Sequence, residues 1–156
     1  MAFDQGAAFA FDKPADTPCR YLSDDSCCGV HAALVERGFS GCARYDCFGA
    51  GQRVCTELFP GRSWRESPEL ARRMFEAFRV LQQAHELSLL LCTASRLELS
   101  PSQSARREEL ELELERAGAR ASDVERLVAE VRAFFQELRA LLPDRALARR
   151  RLVLAP

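Results

Sequence analysis

From Pro68 onward, apolar residues recur along this chain at steps of three and four. Leu70, Met74, Phe78, Leu81, His85, Leu89 and Cys92 follow that spacing, which marks one face of a helix. Ser67 suits an N-cap and Pro68 a first helical residue, so the pattern predicts a helix from Pro68 to about Ser95. Ser100, Pro101 and Gln103 form a capping-box start for a second helix, which carries Leu110 and Leu114 and stops near Gly118. Ser122 with Glu125 repeats the capping-box signature. Val124, Leu127, Val128, Val131, Phe134, Phe135, Leu138 and Leu141 then make a third stripe, ended by Pro143. A fourth short helix, basic in its middle, is expected over residues 144–154.

Residues 1–66 show no such period. They are rich in Gly, Pro, Cys and Asp, and this composition resists regular elements. One short helix is expected over residues 30–37, closed by Gly38. Short connections between the later helices favour antiparallel neighbours. The fold expected is mainly α. A bundle of three to four helices (67–156) carries an irregular, metal-organised, cysteine-rich N-terminal layer (1–66), and the two together make one compact domain.

Composition narrows the function classes. A hydrophobic content of 47% suits an ordinary globular core, and 156 residues suit one domain or one with an appendage. A net charge of −1 gives no field that would draw nucleic acid, and no nucleic-acid partner is expected. The Arg149, Arg150 and Arg151 run reads as a solvated helix face. The longest apolar run, from Leu87 to Cys92, is far shorter than the roughly 20 residues a bilayer demands, and no membrane partner is expected. The opening residues carry Asp4 where a secretory leader would carry positive charge. A cytoplasmic location, where thiols stay reduced, is the expectation.

The chemistry lies in the cysteines. Six of seven, Cys19, Cys27, Cys28, Cys42, Cys47 and Cys55, fall in the first 55 residues, and Cys92 stands apart. A reducing compartment and an odd count disfavour a disulfide framework, which leaves a metal or a reactive thiol. Cys19, Cys28, Cys42 and Cys47 are spaced C-x8-C-x13-C-x4-C, without the C-x2-C knuckles of a zinc ribbon. The segment after Cys47, Phe48-Gly49-Ala50-Gly51, suits tight turning with N–H groups aimed at a negative centre. That feature tips the expectation slightly toward iron–sulfur.

Several stretches carry a resemblance. They are Phe11-Asp12-Lys13-Pro14-Ala15, Pro18-Cys19, Cys28-Gly29-Val30-His31, Gly38-Phe39-Ser40-Gly41-Cys42 and Tyr45-Asp46-Cys47-Phe48-Gly49-Ala50-Gly51-Gln52. Together they resemble the cysteine-rich N-terminal region of certain bacterial pentapeptide-repeat proteins. More loosely, Cys28-x2-His31 followed by Cys42-x2-Tyr45-x-Cys47 is similar to the zinc- or iron-chelating cysteine-cluster family. The resemblance spans residues 11 to about 95. It implies Cys19, Cys28, Cys42 and Cys47 as the ligand set of a 4Fe–4S cluster or a zinc ion. The pentapeptide repeats themselves are absent, so only the cysteine module and its helices are implied.

Two histidines are further candidates. His31, three residues after Cys28, would share a helix face with it and is either a ligand or a surface histidine. His85, on the apolar stripe, reads first as a core histidine, with a contact to the metal site as its alternative. Cys27 beside Cys28 is a spare or resolving thiol, and Cys55 and Cys92 read as packing cysteines. No phosphate loop or nucleophile–base order stands out, so an enzyme is not the first expectation. A metal-binding role in binding, sensing or electron storage is, with a protein partner on the helical face. The alternatives are a thiol-redox enzyme or switch using Cys27 and Cys55, and a zinc-stapled helical interaction module.

Overall fold

The structure is a computed structural model that describes residues 2–141, with side chains through Arg139. The helix expected over 144–154, its Arg149–Arg151 run and the Pro143 stop lie outside the described residues, as does the side chain of Leu141. Among the described residues five α-helices run in order: α1 (Ser40–Arg44), α2 (Ala50–Arg53), α3 (Pro68–Ala94), α4 (Pro101–Ala117) and α5 (Ala121–Leu141). Among the described residues there is no regular strand, only three isolated bridges. The chain is mainly α, and none of the described helices is long and apolar enough to cross a membrane.

The described residues divide between Phe75 and Glu76 into two compact units. The division falls within α3, nine residues beyond the 66/67 boundary expected from composition, so the first turns of α3 belong with the cysteine-bearing unit.

The C-terminal unit holds α4, α5 and α3 from Glu76. Its core joins Leu87, Leu91, Leu110, Leu114, Leu127, Val131, Phe134 and Leu138. Ser100 caps α4 as its sequence implies. Its hydroxyl accepts from the Gln103 N–H, and the Gln103 side chain accepts from the Ser100 N–H at 2.8 Å. Arg106 pairs with Glu130, and Arg126 with Glu113 at 2.9 Å, tying α4 to α5. The Arg106 hydrogen bond, seconded by Arg126, holds the Glu130 carboxyl below the usual range.

Two expectations for this unit are corrected. The buried face of α3 runs Leu81, Ala84, Leu87, Leu91, Ala94, mostly in steps of three. A seam facing neighbouring helices keeps near 3.5 residues per turn. The expected stripe advanced mostly in fours from Leu81, drifted around the helix, and left Leu89 half exposed (50%) and Cys92 exposed. Ser122 does not cap α5. The helix begins at Ala121, the Val124 N–H donates to the Arg120 carbonyl at 3.1 Å, and Asp123 in the first turn pairs with Arg120.

The N-terminal unit is built differently. A cluster of aromatic rings, with Phe3 and Phe39 buried, holds its first forty residues together. Phe3 stacks on Phe9 with centroids 4.2 Å apart, and Phe39 meets Phe11 edge-on at 5.2 Å and Tyr21 at 5.7 Å. The Arg20 guanidinium lies 3.6 Å from the Phe11 ring centroid, a cation–π cover for the stack. Val30, Ala50 and Val54, with Leu70 and Met74 from the first turns of α3, add the buried aliphatic positions.

Candidate metal centre

Three short pieces of this unit carry the candidate cysteines. The first is a tight hairpin. Leu22 bridges Cys28, the Gly29 N–H donates to the Tyr21 carbonyl at 2.8 Å, and the Ser23 N–H to the Cys27 carbonyl at 3.0 Å. Tyr21 plants the hairpin in the aromatic stack. Cys19 precedes it, with its carbonyl accepting from the Leu22 N–H at 2.9 Å. Thus Cys19 leads into one arm and Cys28 closes the other.

The hairpin tip is held from within by Asp25. Its carboxylate accepts from the Cys27 N–H at 3.0 Å and from the Ser23 hydroxyl. Those bonds, that from Ser23 foremost, keep the Asp25 carboxyl below its ordinary range. Ser26 takes a left-handed φ of +67°, uncommon for a residue with a side chain.

The second piece presents Cys42. Residues 34–39 close in a Schellman arrangement. The Phe39 N–H reaches the Leu34 carbonyl at 2.7 Å and the Gly38 N–H the Val35 carbonyl at 3.1 Å, with Gly38 at φ +81°. Buried Phe39 then opens α1, and the Cys42 N–H donates back to its carbonyl at 3.0 Å. Phe9 packs directly on Gly41. A Cβ there would lie 2.2 Å from the Phe9 Cζ, so only glycine lets the ring sit against this turn.

The electrostatics tie the first two pieces together. Burial, then the neighbouring charges of Cys19 and Cys28, push the Cys42 thiol up. Of the four cysteines the resemblance implies, Cys19 and Cys28 therefore each lie within electrostatic reach of Cys42. Cys19 and Cys42 are half-buried and Cys28 is exposed, and all seven cysteines are free thiols. Among the described residues, no three His, Cys, Asp or Glu side chains stand close enough to hold a metal ion.

The third piece carries Cys47, half-buried between α1 and α2, with its thiol 4.0 Å from Gln52 Oε1. The following turn is left-handed at Phe48 (φ +52°) and Gly49 (φ +78°). Its N–H groups are already used in part. That of Phe48 donates to Asp46 Oδ1 at 2.7 Å and that of Ala50 to the Cys47 carbonyl at 2.9 Å. The expected aiming of N–H groups at a cluster does not hold for these two, and Gly51 lies inside α2.

His31 opens a single 3-10 turn, His31–Ala33, instead of a helix over 30–37, and its side chain is exposed. Cys28 sits in the hairpin ahead of that turn, so the expected shared helix face does not form. Pairing with Leu22 holds Cys28 extended. His85 is half-buried on the part of α3 that belongs to the C-terminal unit. Neither Cys55 nor Cys92 is a packing cysteine, because both are exposed. At Cys55 a π turn, closed by the Phe59 N–H on the Val54 carbonyl at 2.9 Å, gives the buried place to Val54.

One contributor escapes sequence reasoning. Arg65 lies about forty residues from the hairpin tip. It donates to the Ser23 carbonyl at 2.8 Å, the Asp24 carbonyl at 2.9 Å and the Ser26 hydroxyl at 2.9 Å. No local pattern marks it, since an arginine among turn residues reads as surface.

The chain is similar to the uncharacterized protein YybG of Bacillus subtilis (strain 168), with 43% identity over 100 residues. The match takes in 64% of this chain and 36% of the relative, so the chain spans about a third of that protein's length. No family model matches the sequence, and no solved structure matches it.

Proposed function

We propose that this protein binds a metal through cysteine thiolates in its N-terminal unit, with Cys19, Cys28 and Cys42 as the central donors and Cys47 as the fourth. The observation that carries this is that Cys19 and Cys28 each lie within electrostatic reach of half-buried Cys42 in a unit with few buried hydrophobic residues. Thiolates brought together repel, and a cation offsets that repulsion while supplying stability a small core lacks. The donor chemistry fits zinc or a 4Fe–4S cluster, since both take thiolate sulfur. Zinc in a closed four-thiolate site would act structurally, and a cluster would hold an electron. The partly committed N–H groups after Cys47 and the exposure of Cys28 favour zinc over a shielded cluster. Seven free thiols suit a reducing cytoplasmic setting.

Purification without oxygen, with an absorption spectrum and elemental analysis on one sample, tests this. About one zinc per chain without colour supports the structural site. Iron with sulfide and a broad visible absorption supports the cluster. A metal-free preparation that takes up neither sinks the proposal and leaves the thiol switch at Cys27 and Cys55.

One observation favours the interaction-module variant of the zinc reading. Leu90 of α3 and Phe135 of α5 border an open groove of about 460 Å³, and Leu90 is itself half exposed. Redox-inert zinc in the other unit would then serve only to keep the chain folded.

A further inference from the structure

We infer that Arg65 is a positioning residue for the Cys28 arm of the thiol site, clasping the hairpin tip so that Cys28 is held toward Cys19 and Cys42. The inference rests on the metal-site reading above but has its own geometry. The guanidinium converges on three acceptors of one loop, the carbonyls of Ser23 and Asp24 and the hydroxyl of Ser26. Two carbonyls turned to the same side repel unless a cation lies between them, and Ser26 adopts its left-handed φ within this loop. The loop leads straight into Cys27 and the bridged Cys28.

Arg65 is itself held. Its guanidinium lies 4.7 Å from the Trp64 ring centroid, and Trp64 packs on Phe75 of α3 at 5.8 Å. Ser63 and Glu66 close the turn between them, with the Ser63 N–H on the Glu66 carboxylate. The start of α3 is thereby connected through two adjacent side chains to the hairpin that carries Cys28. A planar fork with several donors suits three acceptors in this layout, and an ammonium cannot reproduce it.

The test is anaerobic cobalt(II) titration of the full chain, read by thiolate-to-cobalt charge-transfer absorption. The proteins are wild type, Arg65→Gln, Arg65→Lys, Cys28→Ser and the double variant Arg65→Gln/Cys28→Ser. Both Arg65 variants are expected to bind cobalt about tenfold more weakly, and Arg65→Gln to cost nothing further once Cys28 is gone. An equal loss with and without Cys28 means a general folding role and overturns the inference, as does unchanged affinity in Arg65→Gln.

Amide hydrogen exchange of the metal-free proteins gives a second readout. In Arg65→Gln, the hydrogen-bonded Ser23, Cys27 and Gly29 N–H groups of the hairpin should exchange about tenfold faster while those of α4 and α5 keep their rates. If wild type takes up no cobalt but this pattern appears, the metal reading fails and the clasp stands. If cobalt binds and neither readout moves, the clasp fails and the metal reading stands.

Discussion

Gly41 lies against the face of Phe9, and its N–H donates to the Ala8 carbonyl at 3.0 Å. The ring and the turn bearing Cys42 therefore share one contact. Any side chain at 41 must push the ring out of a stack that includes Phe3 and, through Phe11, Phe39. Gly41→Ala should destabilise the N-terminal unit by about 1–3 kcal/mol, the usual cost of overpacking. A smaller residue at position 9 should recover part of that loss, so Phe9→Leu in the Gly41→Ala background should be more stable than Gly41→Ala alone. Denaturant unfolding of the four proteins measures this, and strict additivity would contradict the contact. The glycine is visible in the sequence. Its reason is not, because Phe9 approaches from another segment of chain.

At the scale of elements, two serines with the same sequence signature behave differently. Ser100 completes a reciprocal capping box at α4, while Ser122 lies exposed in the first turn of α5, one residue inside it. Ser100→Ala should cost about 1 kcal/mol. Ser122→Ala should change stability by less than about 0.5 kcal/mol, because no orphan N–H depends on its hydroxyl. Thermal unfolding of the two variants side by side would show this, and equal losses would mean that both serines cap. The buried face of α3 has a similar lesson. Apolar residues lie on several sides of that helix, and packing chose Leu87 and Leu91 over Leu89 and Cys92.

At the scale of the molecule, the two units rest on different physics. The C-terminal one has an aliphatic core built by three long helices, while the N-terminal one leans on ring stacking, short turns and side-chain clasps. Its stability should therefore depend on the state of its thiols. Because the Cys42 proton is held more tightly in the folded chain than in the unfolded one, the sign is set. The contribution of Cys42 to the stability of the metal-free protein is fully present below the ordinary thiol pKa of about 8.5 and is lost as pH rises from there through the raised folded-state value. Metal removal followed by limited proteolysis should cut residues 2–66 and leave the C-terminal unit intact, more readily at pH 9 than at pH 7. Cys42→Ser should flatten that pH dependence. Equal cleavage of both units, or a loss that grows toward acid pH, would contradict this account.

The helices of the C-terminal unit were legible in sequence because helix formation is local. Ser67, Pro68, Ser100, Pro101 and Gly118 mark starts and stops within a turn of their effect. The main-α class and the position of the thiol-rich segment ahead of the helices follow from the same local signals. The four cysteines proposed as ligands came from resemblance, and the nearness of Cys19 and Cys28 to Cys42 depends on contacts between distant residues. Phe9 against Gly41, Tyr21 beside Phe39, and Arg65 over the Ser23–Cys27 loop join segments that no local period links. Tertiary structure alone decided which face of α3 is buried, that Cys28 stands in a hairpin and not on a helix with His31, and that Cys55 and Cys92 are exposed. Loop closure brings such groups together at an entropic cost that leaves no periodic mark in the chain.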